Sequence, residues 1–199
     1  MRNYSGKKID GGWQYTVYDL GNSRVYKKFN SKFESFKIIL KDRWFVFWKI
    51  PSFISEMKNN AIKSFEFIEH GKIDKVFFGN IIRTNELDYT QDKMITLGEY
   101  FKNHTLEENK IIIDKFIELC KFFLERSFID KAIKIGSNFG INDKGEIALI
   151  DIGEIWFKEE SIKTRIKKRT WAFPSNYKGV PVRLQKYYIQ KMDRIYLHK

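Results

Sequence analysis

Cysteine and proline are scarce in this sequence, acidic residues are outnumbered by basic ones, and each shortfall excludes something. With one cysteine among 199 residues, an internal disulfide framework is ruled out, and a reducing cytoplasm is the expected compartment. Cys120 sits in an apolar helical stretch, which suits a buried structural thiol better than a nucleophile. No apolar run approaches the ~20 residues of a membrane span, and the N-terminus has no signal-peptide core. Three prolines leave few linker marks, and no internal repeat is present. The acidic deficit is the largest departure: 37 Lys and Arg against 25 Asp and Glu give a net charge of +12. It is also uneven, because residues 158–199 hold twelve Lys/Arg and three Asp/Glu, a local charge of +9. Such a segment implies an anionic partner; its alternative is a solvated face that keeps the protein soluble.

What the sequence does have is apolar mass. Hydrophobic residues make up 43%, with 18 Phe and 5 Trp, so the chain is globular and long enough for one substantial core or two small lobes. The most informative stretch is 135–154, IGSNFGINDKGEIALIDIGE. Phe139 to Ile141 and Ile147 to Ile150 are β-prone, and Asn142-Asp143-Lys144-Gly145 supplies a tight reversal. The predicted hairpin holds Asn138 at its entrance and Asp151 at its exit. An amide oxygen and a carboxylate at neighbouring strand ends make a hard-oxygen site suited to Mg2+. Any β-hairpin with polar ends reads the same way, since Asn, Asp and Gly favour turns.

In chain order, Gly11-Gly12 precede a predicted strand over 13–18, a turn at Gly21-Asn22 and a returning strand, Arg24 to Phe29, that carries Lys27. A helical region over 31–70 breaks near Pro51. Its first part has a stripe of Phe36, Leu40, Trp44, Phe47 and Trp48 among basic residues, suited to packing on a sheet or to a membrane interface. Its second part is capped by Ser52 or Ser55 and carries Glu56 near its start. Val76 to Thr84 reads as a strand, and Leu87 to Met94 as a connection. Thr96 caps a short helix, and Thr105 with Glu108 forms a capping box for a long one that runs to about Arg126. Leu184, Tyr188, Met192 and Ile195 mark a terminal helix.

This order resembles the protein-kinase superfamily, in which a glycine loop, a strand lysine, a catalytic-loop asparagine and an Asp-Phe-Gly aspartate surround ATP. Here Gly12, Lys27, Asn138 and Asp151-Ile152-Gly153 match those positions. The resemblance is greatest to the small PhoP-regulatory-network protein family. It is carried by Gly12 with Val17-Tyr18, by Ile95 to Phe101, by Phe128-Ile129, and by Asn138 with a later Ile-Gly-Glu. A second resemblance, to lipopolysaccharide-core (heptose/Kdo) sugar kinases, is carried by Arg24 to Phe29 and by Asn138-Phe139.

The resemblance implies an α+β, two-lobed, kinase-like fold with a reduced C-lobe, divided as 1–94 and 95–199. It implies ATP and Mg2+ as cofactors. Gly12 would approach phosphate, Lys27 would bind it and Glu56 would hold the lysine, with Glu66 and Glu34 as rivals. Asn138 and Asp151 would ligate the metal. Two positions depart from the pattern: the third glycine of the loop is absent, with Tyr15 two residues before Val17, and five residues before Asn138, where kinases carry the catalytic aspartate, stands Ile133. Asp130, eight residues before Asn138, would need a rearranged loop to substitute. Two functions follow as expectations, namely phosphoryl transfer to an anionic envelope glycan or lipid, or a pseudokinase that binds nucleotide without turnover. Residues 158–199 would meet an anionic membrane or phosphorylated glycan, with nucleic acid ranked below these, at the cytoplasmic face of the inner membrane.

Overall fold

A computed structural model of the chain describes residues 6–43, 48–70 and 73–197. The fold is α+β, and the chain forms two compact units, Met1–Lys93 and Met94–Lys199.

The first unit is built on a five-stranded antiparallel sheet of order β1-β2-β3-β5-β4, formed by β1 (Lys7–Gly11), β2 (Tyr15–Asp19), β3 (Arg24–Phe29), β4 (Ile82–Arg83) and β5 (Tyr89–Asp92). The β2–β3 reversal uses Gly21 at φ 75° and Ser23 at φ 58°, with the Asp19 carboxylate accepting from Gly21 N at 2.9 Å. Strand β3 is central, pairing Lys27 with Val17 on one side and with Tyr89 on the other. On the core side, Tyr15 meets Phe29 and Tyr89 edge-on at 5.3 and 5.2 Å. Phe65, from α2 (Ile50–Glu69), meets Tyr89 at 5.5 Å. Helix α1 (Lys32–Arg43) contributes Ile39, which packs with Ile50 and Ile54 beneath Trp13, Phe36, Leu40 and Met57. The expected aromatic stripe is therefore in part a core face: Phe36 and Leu40 pack inward, while Trp48 is 62% exposed. Trp44 and Phe47 lie outside the described residues.

Three expectations for this unit need correction. The cap expected at Ser52 or Ser55 is absent, because α2 starts earlier, after Lys49, with Pro51 in its first turn and no side-chain cap. Proline is tolerated there because the first turn has no use for its missing N–H. The strand expected from Val76 to Thr84 is mostly something else: Lys75–Phe78 is a short 3-10 turn, entered through Asp74, whose side chain accepts from Val76 N, and left through Gly79 at φ 62°. Only Ile82–Arg83 is strand. Conversely, the connection over 87–94 contains β5, which is fully paired with β3. Asp88 fixes this strand's entry by accepting from Phe29 N at 2.7 Å, Tyr26 Oη at 2.6 Å and Asn85 Nδ2 at 2.6 Å.

The second unit runs β6 (Ile95–Thr96), α3 (Leu97–Asn103), α4 (Leu106–Glu125), β7 (Ile129–Asp130), α5 (Ile135–Asn138), β8 (Phe139–Ile141), β9 (Ile147–Leu149), β10 (Ile155–Trp156), α6 (Glu159–Lys167) and α7 (Val182–Leu197). Thr96 caps α3, and the Thr105–Glu108 capping box is complete in both directions. Helix α4 buries Ile112, Ile113, Phe116, Leu119, Cys120 and Phe123, with Phe116 edge-on to Phe139 at 4.7 Å. From α7, Tyr188, Met192 and Tyr196 are buried, and Trp171 stacks on Tyr196 at 4.7 Å. Trp171 Nε1 and Arg169 both donate to Asp193.

Three glycines far apart in sequence bring backbone against backbone. A Cβ on Gly98 would lie 2.7 Å from Gly136 O, one on Gly136 would lie 2.1 Å from Lys178 O, and one on Gly179 would lie 2.9 Å from Gly98 Cα. Side chains have no room at this junction of α3, α5 and the 176–180 loop. Among the described residues, no helix is long and apolar enough to cross a membrane.

These contacts rank the expected costs of substitution. We predict that Phe116→Ala destabilises by ~3–5 kcal/mol through cavity formation and Thr105→Ala by ~1 kcal/mol through cap loss. Urea unfolding giving equal losses would contradict the ranking. The Glu108 carboxyl is held below the usual carboxylate range, chiefly by the Thr105 backbone amide and then by its hydroxyl. Its contribution is present above the unfolded pKa and lost as pH falls through the folded one. Glu108→Gln is therefore expected to flatten the acid limb of the stability–pH curve, and an unchanged limb would count against it.

Candidate functional site

The expected β8–β9 hairpin forms, with Phe139 opposite Leu149, Gly140 opposite Ala148 and Ile141 opposite Ile147. Its turn closes through Gly145 at φ 74° and through the Asn142 side chain, which accepts from Lys144 N and Glu146 N at 3.0 Å each. That register sets Asn138 and Asp151 at the same end. The Asn138 carbonyl accepts from Ile150 N at 2.8 Å and from Asp151 N at 3.3 Å.

The Asn138 side chain is buried and turned to Asp130, with Nδ2 donating to Asp130 Oδ1 at 3.1 Å. The other Asp130 oxygen accepts from Lys134 N at 3.1 Å. Closing that four-residue loop puts Ile133 at φ 50°, a conformation that β-branched residues rarely adopt. The Ile133 side chain is buried, so it fills the core and offers no proton acceptor. Asp130, and not Ile133, touches the asparagine. Strand β7 pairs with β10, with Asp130 opposite Ile155 and Ile129 opposite Trp156.

Magnesium keeps several waters and is held through one or two protein oxygens. Among the described residues, Asn138 Oδ1 accepts only from Ser137 Oγ, at 3.0 Å, which leaves a lone pair. Asp151 is half-buried and gives one oxygen to Gly153 N at 3.3 Å. In donor chemistry, an amide oxygen and a carboxylate are the kind of ligand such an ion takes. Among the described residues, no group of three or more His, Cys, Asp and Glu gathers.

Asp130 also faces inward. Burial pushes the Cys120 thiol and the Tyr188 and Tyr196 hydroxyls well above their ordinary pKa values, and the Asp130 charge adds to the shift in each case. Cys120 is therefore a buried, inert thiol.

In the first unit, Gly12 is exposed and an added Cβ would meet nothing within 4 Å. Its N–H is already given to Tyr15 O at 2.8 Å. Lys27 is half-buried on β3, with Nζ 5.7 Å from the Tyr89 ring centroid. Glu56 is exposed on α2, and so is Glu66. Glu34 is committed to Ser31, accepting from its N–H at 2.8 Å.

Sequence reasoning passed over two supports. Asn30 is buried and shapes the Gly12 turn: its Nδ2 donates to Gly12 O at 2.8 Å, its Oδ1 accepts from Thr16 Oγ1 at 2.7 Å, and its N–H goes to Gln14 O at 2.8 Å. The sequence signal was slight, an asparagine just before a Ser-x-x-Glu box. The other support is Asn176, whose carbonyl accepts from Ile135 N at 3.1 Å and so holds the start of α5. A separate pocket of about 420 Å³ lies against Tyr100, His104, Ile111, Lys115 and Asp143; none of the expected site residues lines it.

No family model matches the chain, and no curated protein matches it. Solved structures do match. One is the complex of Rv3197 with erythromycin from Mycobacterium tuberculosis, at 13% identity and a TM-score of 0.48. That match covers 96% of this chain and 55% of the other, so this chain spans little more than half of its length.

We predict that Asn138→Ala, which strips a donor from buried Asp130, costs ~1–3 kcal/mol. Asn138→Asp sets two carboxylates together, which raises their folded pKa values, so its stability should fall as pH rises from the ordinary carboxylate range through the raised folded values. A pH-independent deficit in the Asp variant would refute the contact.

Proposed function

We propose that the protein is a kinase-like, ATP- and Mg2+-binding phosphotransferase acting on an anionic envelope glycan or lipid. One observation carries this reading: the Asn138 side-chain amide donates to the Asp130 carboxylate and the Asn138 carbonyl accepts from Asp151 N, so the three residues meet at one strand end. Asn138 and Asp151 would hold the metal, which neutralises phosphate oxygens when bound. Asp130 would orient or accept the acceptor hydroxyl's proton in place of the aspartate that Ile133 replaces. Lys27 would grip phosphate, and the open space beside Gly12 would admit it. Glu56 remains the proposed partner of Lys27. The basic segment over 158–199 supports an anionic acceptor met peripherally at the cytoplasmic face of the inner membrane.

A second reading, a pseudokinase that binds nucleotide and regulates a partner, is favoured by the burial of Asp130, 2% exposed and electrostatically coupled to Cys120, Tyr188 and Tyr196. A carboxylate committed to a core is a poor proton acceptor for an outside hydroxyl.

Both readings predict that ATP with Mg2+ raises the melting temperature, by an amount equivalent to ~2.7 kcal/mol at a hundredfold excess over Kd, and that Lys27→Ala erases the rise. Labelled ATP with lipopolysaccharide-core acceptors then separates them. Transfer that is lost in Asp151→Asn and falls at least ~100-fold in Asp130→Asn supports the enzyme. A thermal shift without turnover on any acceptor supports the pseudokinase, and no thermal shift at all sinks both.

A further inference from the structure

Two cations share one indole beside the candidate site. Arg165, on α6, places its guanidinium carbon 4.5 Å from the Trp156 ring centroid, and Lys131 places Nζ 5.6 Å from the same centroid. Both distances lie within the range in which a cation is drawn to an aromatic face. Position follows from the short β7–β10 ladder. Lys131 directly follows Asp130, and Trp156 directly follows Ile155, the residue opposite Asp130.

The way in which Arg165 is held is informative. Three basic residues of the same segment are paired within the unit: Lys163 with Glu159 at 2.6 Å, Arg169 with Asp193 at 2.6 Å and Lys191 with Asp114 at 3.3 Å. Among the described residues, Arg165 meets no carboxylate and makes no hydrogen bond, and its Nε is buried without a partner. A guanidinium held over an aromatic ring keeps its full charge and, with Nε buried here, the donors of its two terminal nitrogens, and its orientation is set before any ligand arrives. That is what a phosphoryl group needs for two parallel N–H···O bonds.

We propose that Trp156, Arg165 and Lys131 form a binding site for the phosphomonoester of a phosphorylated saccharide. Arg165 grips two oxygens, Lys131 adds charge, and Trp156 fixes both cations and offers apolar surface to the sugar. This site rests on the reading of the acceptor as an anionic glycan, but it needs neither nucleotide nor turnover.

The test uses the full chain without ATP. Nitrogen-15 spectra follow the Trp156 indole and the Arg165 Nε–H, assigned with Trp156→Phe and Arg165→Lys, while glucose 6-phosphate is added. Glucose and vesicles of phosphatidylglycerol in phosphatidylcholine serve as separate arms. Saturable movement of both signals with glucose 6-phosphate and none with glucose is expected. Affinity should drop about tenfold or more in Arg165→Lys, which keeps the charge but loses the fork, and less in Lys131→Gln. Equal binding by Arg165→Lys, shifts that never saturate, or a response to vesicles alone would each overturn the site. The thermal shift with ATP and Mg2+ is measured on the same samples. Its presence without sugar-phosphate binding defeats this inference alone, and its absence alongside binding defeats the kinase reading alone.

Discussion

Taking a carboxylate out of water costs several kcal/mol unless donors meet its oxygens, and in the second unit Asp130 is that carboxylate. One of its oxygens is met by the Asn138 amide and the other by the Lys134 N–H. Much of the local geometry follows. Reaching Lys134 forces Ile133 into the left-handed region, and reaching Asn138 fixes the rotamer of the residue that opens the β8–β9 hairpin. The Asn138 carbonyl then takes the Ile150 and Asp151 amides, so the second carboxylate is positioned through backbone as well as through its own bond to Gly153 N. Since left-handed isoleucine is strained by roughly 1–3 kcal/mol, the surroundings must overdetermine the loop, and Asn176 does part of this by holding Ile135 N.

The first unit obeys the same rule with a different residue. Asp88 is buried at the entry to β5 and is met by a backbone amide, a phenol and a side-chain amide. Because two of those donors come from β3, the carboxylate staples the central strand to its neighbour and fixes the register on which the position of Lys27 depends. Asn30 performs the matching task for the glycine turn. In both units, then, buried polar side chains and not apolar packing alone decide where the candidate residues stand.

This division explains what could be read from the sequence. The α+β class, the β8–β9 hairpin, the Thr96 cap, the Thr105–Glu108 box and the terminal helix were legible, because each is signalled by local chemistry or by periodicity. Strand β5 was not. Its residues Tyr89-Thr90-Gln91 are all buried, so polar side chains sit where alternation would put apolar ones, and the period-two signal vanishes. Lys75 to Phe78 reads as β-prone, yet the Asp74 cap and the left-handed Gly79 curl it into a turn. The contact between Asp130 and Asn138 was hidden for a related reason. It depends on a left-handed isoleucine, which propensity argues against, and on a buried ion, whose partners only the tertiary structure assembles.

The glycine junction has a consequence for how such a chain can drift over generations. Positions 98, 136 and 179 are separated by long stretches of sequence, yet each forbids even a methyl group because another backbone already occupies the space. A substitution at one cannot be compensated by shrinking a neighbour, since glycine has nothing left to remove. These three positions should therefore stay fixed together while the basic surface around them varies freely. A reader searching diverged relatives would do better to align on this trio than on the charged tail, whose composition can be kept without any residue staying in place.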